Sequence, residues 1–158
     1  MTATPDSRPE IKIYDEILNA WQIEANILAN LLEVPFLAMT RYAPPFLEII
    51  CANQSDKIPY SSGTCLPCKN SYCEVIIDSG EALCVPDATK NDWWKNNPAL
   101  KEGLVAYLGY PVFASDGKIF GALFIMDSKP NSFSDESRKL LQRFKEQIES
   151  NLGSLSEP

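Results

Sequence analysis

Residues 104–126 read Leu104-Val105-Ala106-Tyr107-Leu108-Gly109-Tyr110-Pro111-Val112-Phe113-Ala114, then Ser115-Asp116-Gly117-Lys118, then Ile119-Phe120-Gly121-Ala122-Leu123-Phe124-Ile125-Met126. Two short apolar runs flank Asp116-Gly117, a dipeptide suited to a tight hairpin turn because both positions tolerate positive φ. The second run does not alternate apolar with polar, so both faces of that strand must be covered. An antiparallel sheet held between helices meets this requirement.

Working outward, 158 residues fit one domain, long enough to bury roughly 70% of the unfolded chain's surface. The formal net charge of −7 repels phosphate backbones and anionic lipid, which argues against nucleic acid and membrane surfaces as partners. No run approaches the ~20 apolar residues of a membrane span. The first residues, Met-Thr-Ala-Thr-Pro-Asp-Ser, lack the basic and apolar regions of a secretory signal. A cytoplasmic location is expected, with the five cysteines as thiols.

The chain contains no histidine. Ser-His-Asp and Cys-His nucleophiles, histidine-ligated haem, the usual mononuclear catalytic zinc sites and a phosphoacceptor histidine are thereby excluded. Any catalysis would run on cysteine or carboxylates, and a non-catalytic role is expected.

Residues 1–9 are polar with two prolines and are expected to be disordered, ahead of a single domain over 10–155. From about 10 to 32, Tyr14, Leu18, Trp21, Ala25, Leu28 and Leu32 form a heptad-spaced helical stripe that Pro35 ends. Phe36–Tyr42 and Phe46–Cys51 read as strands joined by a Pro44-Pro45 turn. Residues 52–69 form the longest irregular segment. A short helix over about 70–78 follows, stopped at Ser79-Gly80, and then a brief strand at 82–85. Asp87–Leu100 reads as loop and helical turn. Ser134 is a good N-cap, with Asp135 and Glu136 in the first turn of a final helix striped by Leu141, Phe144, Ile148, Leu152 and Leu155.

Several segments resemble the GAF domain of bacterial signalling proteins. They are Tyr72-Cys73-Glu74-Val75-Ile76, Val85-Pro86-Asp87-Ala88, Asn97-Pro98, Tyr107-Leu108-Gly109-Tyr110-Pro111-Val112, Asp116-Gly117 through Phe120-Gly121, and Phe133-Ser134. The resemblance covers about residues 15–152. It implies an α+β fold, a GAF- or PAS-like central six-stranded antiparallel sheet with helices on both faces. It also implies a small-molecule pocket between the sheet and residues 55–100. Such domains usually regulate an attached kinase, cyclase, phosphodiesterase or transcription factor. The Asn-Lys…Phe…Asp-Glu signature of the cyclic-nucleotide-binding members cannot be placed here. The bilin-binding members attach pigment at a cysteine commonly followed by histidine, which this chain lacks. The motifs flanking the three cysteines of the free methionine sulfoxide reductases are not evident around Cys65, Cys68 or Cys84. The ligand is an unidentified small molecule, and no cofactor is assigned.

The candidate ligand-binding residues are Arg41, Cys65, Cys68, Tyr72, Cys73, Asp92, Trp93, Trp94 and Tyr107. Trp93-Trp94 can stack on a planar ligand, or one indole can cap the sheet while the other covers the loop. Tyr107 can donate into the pocket or be a core residue with its hydroxyl at the rim. Arg41 can bind an anion or point outward into solvent. Cys65-Leu66-Pro67-Cys68-Lys69 is the sharpest chemical feature. Its thiols can be inert, a reversible redox pair, or, with Cys73 and a fourth ligand, a metal site. Cys73 itself fits the family pattern as a packing residue.

Two functions from different classes follow. The first is a ligand-sensing module, homodimeric through its terminal helices and coupled to an output domain such as a histidine kinase or cyclase. The second is a thiol redox switch or oxidoreductase using Cys65 and Cys68.

Overall fold

The computed structural model describes residues 12–58 and 60–156; the expectation for residues 1–9 lies outside them. Helix α1 spans Asp15–Leu31, followed by β1 (Phe36–Ala43), β2 (Phe46–Ala52), β3 (Cys65–Pro67) and α2 (Tyr72–Ser79). Next come β4 (Leu83–Val85), 3-10 turns at Ala88–Lys90 and Asp92–Trp94, and α3 (Pro98–Lys101). The chain then forms β5 (Ala106–Phe113), β6 (Ile119–Asp127) and α4 (Asp135–Ser156). The six strands form one sheet in the order β3-β2-β1-β6-β5-β4, with every pairing antiparallel. Helices lie on both of its faces, as the apolar runs of β5 and β6 require. β6 is buried continuously from Phe120 to Asp127.

The hairpin joins β5 to β6 as expected, but the turn is larger than two residues. Ala114 N–H donates to Lys118 O and Gly117 N–H to Ala114 O, while Asp116 Oδ1 accepts from Lys118 N at 2.9 Å. Within this turn, Gly117 has positive φ (82°) and Asp116 does not. A type I turn closed by a left-handed glycine makes this geometry, and a separate irregularity shifts the register between Val112 and Phe113, opposite Phe120. The 52–69 segment, expected to be irregular, contains β3. A three-residue edge strand ending in proline carries too little pattern to be legible in advance, and its pairing with Phe46–Glu48 is a tertiary matter.

Two cores result. Leu37, Met39, Cys51, Leu108, Leu123 and Ile125 pack on one face beneath α1 and α4. Trp21, Ala25 and Leu28 descend from α1, and Leu141, Phe144, Ile148 and Leu152 from α4. Trp21 Nε1 donates to Asn151 Oδ1 at 2.9 Å and ties the two helices together. The heptad stripe offered for a homodimer seam is therefore consumed inside the domain; of its members only Tyr14 is exposed. The other face carries Phe36, Ala38, Leu47, Ile49, Tyr107, Ala122 and Phe124 under α2 and the turns of 88–101.

Among the described residues no helix is long and apolar enough to cross a membrane.

Candidate functional site

The candidate site is the second face, and the topology puts α2 there. β3 and β4 lie at opposite edges of the sheet, so the chain between them must cross the whole face, and α2 is that crossing. Its start is fixed by Ser71, whose hydroxyl accepts from Glu74 N at 3.3 Å and donates to Cys68 O at 2.6 Å. Glu74 Oε1 in turn accepts from Asn70 N at 3.0 Å, so the helix start is held from both sides. Gly80 ends the helix in the left-handed conformation (φ 70°). With the helix so placed, Tyr72, Cys73 and Ile76 face the sheet and are buried.

Beneath them runs a chain of six rings. Trp94 lies 5.0 Å from Tyr72, and Tyr72 stacks on Tyr107 at 4.6 Å and 25°. Tyr107 lies 5.3 Å from Phe124, Phe124 meets Phe36 edge-on at 5.5 Å, and Phe36 lies 5.5 Å from Tyr60. Such offset and tilted pairs each add about 0.5–1.5 kcal/mol beyond their buried area. Two polar contacts fix the rings. Tyr72 Oη donates to Leu104 O at 3.0 Å, and Tyr107 Oη lies 3.3 Å from Cys73 Sγ. The Tyr107 ring can lie flat because residue 109 is glycine. A Cβ there would stand 2.6 Å from Tyr107 Cζ and 2.7 Å from Ile76 Cδ1.

Burial sets the protonation states. It pushes the Cys73 thiol up to about 12, partly opposed by the Tyr107 hydroxyl. Tyr107 itself is held well above the usual phenol range, first by burial and then by the neighbouring Cys73. Cys68 is pushed up to about 11 by burial, with Glu74 adding to the shift. These groups remain neutral at physiological pH.

Of the nine expected residues, Tyr72, Cys73, Trp94 and Tyr107 come together in this layer. Tyr107 does not reach the rim, since its hydroxyl is buried against Cys73. Cys68 joins the same core near α2. Cys65 is exposed on the edge strand β3. Trp93 is 75% exposed while its neighbour Trp94 is buried, so the two indoles do not form one platform. Asp92 is exposed beside Trp93. Arg41 lies on the opposite face, where alternation along β1 sends it toward α1, and its guanidinium grips Glu48 directly across the strand pair at 2.7 and 3.2 Å. The guanidinium is thus paired with a carboxylate and partly exposed, 27% in its side chain.

The cysteines do not form the helix-mounted pair that fast thiol exchange needs. Leu66 and Pro67 of strand β3 separate Cys65 from Cys68, three steps of extended chain or about 10 Å. Cα atoms more than ~7 Å apart cannot be bridged by a disulfide without moving the backbone. Among the described residues, no three Cys, Asp or Glu side chains are grouped to hold a metal ion.

Sequence reasoning missed Phe36, Phe124 and Tyr60. The first two were visible as apolar positions in strands, but only the strand order places them beside Tyr107. Tyr60 comes from the loop after β2, which carries no periodic signal. Asn97 was noted only within a motif. Its Oδ1 accepts from Ala99 N at 3.0 Å, and its Nδ2 is buried without a protein partner.

The chain matches the GAF domain family model over residues 48–152. Among solved structures, the GAF domain from Acinetobacter phosphoenolpyruvate-protein phosphotransferase superposes with a TM-score of 0.69 at 16% identity, over 87% of this chain and 82% of that one. The phycocyanobilin-bound GAF domain from a cyanobacterial phytochrome gives 0.72 at 11% identity, over 87% and 85%. Type II free methionine-R-sulfoxide reductase from Thermoplasma acidophilum gives 0.70 at 13% identity, over 89% and 95%. At these identities the likeness is one of fold. No curated protein is significantly similar in sequence.

Proposed function

Because this chain belongs to the GAF domain family, we propose that residues 10–155 form a single non-catalytic sensory domain whose ligand is taken up on the aromatic face. The observation that carries this reading is the unequal cladding of the sheet. Two long helices, α1 and α4, seal one face, whereas one eight-residue helix, short turns and the 53–64 loop cover the ring layer. Opening the thin side exposes six rings for stacking, a thiol-hydroxyl pair, and the orphaned amide of Asn97 as a donor.

The chemistry of the rim narrows the ligand. Asp87 raises the Tyr72 hydroxyl pKa, after burial, and Glu102 does the same for Tyr60, so negative charge stands at the edge of the face. Arg41 is on the other side of the sheet. A flat molecule without net negative charge fits these surroundings. Its occupancy would displace Tyr60 and the loop before α2, and α1 and α4 would carry the change to an output domain such as a histidine kinase or cyclase.

Native mass spectrometry of freshly purified protein tests the reading, with a thermal-shift screen of flat neutral and cationic heterocycles beside it. One bound molecule per chain is expected, or a heterocycle that raises Tm in the wild type and less in Tyr60→Ala. No adduct and no stabilising compound would overturn it.

A thiol switch or oxidoreductase using Cys65 and Cys68 is the second reading, favoured by the exposed Cys65 thiol. It requires the β3 pairing to break. Mass spectrometry after mild oxidation separates the two readings. A 65–68 disulfide supports the switch, and unmodified Cys68 beside oxidised Cys65 removes it.

A further inference from the structure

Apart from tyrosine and cysteine, three polar side chains are buried among the described residues: Thr40, Asn97 and Asp127. Thr40 Oγ1 donates to Ala122 O at 3.0 Å and accepts from Ala122 N at 3.3 Å. Asp127 accepts from Lys129 N at 3.4 Å and from Asn131 Nδ2 at 3.0 Å. Asn97 is 3% exposed, and its Nδ2 is the one buried side-chain nitrogen or oxygen among the described residues without a partner. Turning the amide over gives no relief, because Oδ1 is needed where it accepts from Ala99 N at 3.0 Å. A buried donor without an acceptor is held at a cost, so it calls for an explanation.

The chain around the amide is already bonded. Trp94 O accepts from Asn97 N at 2.9 Å, Asn97 O from Leu100 N at 3.1 Å, and Ala99 O from Leu104 N at 3.0 Å. Leu104 O in turn accepts from Tyr72 Oη at 3.0 Å. A water enclosed there would need roughly two to four polar partners and would find these carbonyls engaged. The same hydrogen bonds fix where the amide sits. They run from Asn97 through Ala99 and Leu104 to the hydroxyl of Tyr72, whose ring lies 5.0 Å from Trp94 and 4.6 Å from Tyr107. Asn97 therefore belongs to the Trp94–Tyr72 end of the ring layer, in the cover that parts when a ligand enters.

If the aromatic face takes up a flat ligand, as proposed above, this amide decides which edge that ligand carries. The carboxamide has both Nδ2 hydrogens unused and one lone pair of Oδ1 left over. A side-chain amide, with donor and acceptor side by side, pairs bidentately with a planar edge that sets an acceptor beside a donor. In a flat heterocycle that edge is a lactam, a ring C=O next to a ring N–H. The faces of such a ring suit stacking on Trp94 and Tyr72. Its neutrality suits Glu102, the C-cap of α3, and Asp87, whose charge acts on the Tyr72 hydroxyl. We propose that Asn97 selects the ligand of the aromatic face by pairing its amide with the lactam edge of an uncharged bicyclic heterocycle.

Matched pairs of heterocycles test this on the full chain: quinolin-2-one beside quinoline, and isoquinolin-1-one beside isoquinoline, near neutral pH where all four are uncharged. Binding is measured by ligand-observed NMR titration and stability by thermal melts. Each lactam is expected to bind the wild type at least about tenfold tighter than its parent ring. Asn97→Ser keeps a capping oxygen for Ala99 N and removes the orphaned donor. It is expected to melt at or above the wild-type temperature and to narrow the lactam preference to within about twofold. Asn97→Ala, which loses the cap as well, is expected to lose the same preference and to melt lower. Parent rings that bind as tightly as their lactams would leave the aromatic site standing and overturn the role of Asn97. A preference that survives in Asn97→Ser overturns it too, as does an Asn97→Ser melt below wild type, which would mean that the amide is satisfied in the closed protein. Failure of all four compounds to bind overturns the aromatic site and this inference together.

Discussion

At the scale of single residues, Gly109 and Arg41 show opposite limits of sequence reading. Gly109 sits in a strand, where glycine ordinarily weakens packing. Its role appears only with Tyr107 lying across it, two positions back on the same face. Gly109→Ala drives a methyl into the ring and into Ile76, and overpacking of this kind costs about 1–3 kcal/mol. Urea denaturation should show that loss, and a change near zero would mean the ring moves aside freely. Arg41, by contrast, could have been resolved from the sequence by counting. With Pro44-Pro45 as the turn, residues 43, 42 and 41 oppose 46, 47 and 48, which sets arginine against Glu48. Weighing Arg41 only as an anion ligand or a solvated side chain leaves out its cross-strand neighbour. Trp93 and Trp94 could not be told apart, since a short 3-10 turn turns adjacent side chains to opposite surroundings without a sequence signature.

At the scale of elements, the long periodic segments were legible, as were the short helix α2 and strand β4 beside their Ser79-Gly80 stop, and β3 was not. α1, α4, β1, β2, β5 and β6 follow from stripes, breakers and the hairpin. β3 is held by a partner distant in sequence, so local pattern could not reveal it, whereas the turns of 88–101 are capped locally by Asp87, Asn91 and Asn97 and read as loop and helical turn. The connection between α1 and the loop after β2 belongs to this level too. Gln22 Nε2 donates to Ala52 O at 2.6 Å and to Asn26 Oδ1 at 3.2 Å, and Asn26 exchanges two hydrogen bonds with Gln54. Asn26→Leu removes that exchange and leaves Gln54 to solvent, for a loss of about 1–2 kcal/mol. Hydrogen exchange should then quicken at residues 53–58 while β5 and β6 keep their protection. Unchanged exchange in that loop would show that the amides do not restrain it.

At the scale of the whole molecule, the sheet with helices on both faces was readable because β6 lacks alternation, and family resemblance directed attention to the face under residues 55–100. Its filled state did not, because ring stacking depends on strand order rather than on any local motif. The buried acids set a common pH response. Burial pushes Cys51 and Cys73 up to about 12 and Cys68 to about 11, against 9.0 for a free thiol. The unfolded chain releases these protons near 9 while the native state keeps them, so above that pH the native state binds more protons. Stability is fully present below 9 and falls as pH climbs toward 11 and 12, at about 1.4 kcal/mol per unit for each thiol. Denaturant midpoints at about pH 8 and about pH 10.5 should differ accordingly, and equal midpoints would contradict the burial of these thiols. The strand order has a consequence of another kind. β1–β3 come from the first half of the chain and β4–β6 from the second, and within the sheet the two sets join where β1 lies beside β6 in the middle. Severing the chain at an engineered protease site between Gly80 and Glu81 leaves that central seam and the grip of α2 in place. The two fragments are expected to co-elute in native buffer and to reassemble from denaturant by complementation, each supplying the edge the other lacks; fragments that drift apart without denaturant would show that chain continuity, rather than the seam, holds the domain together.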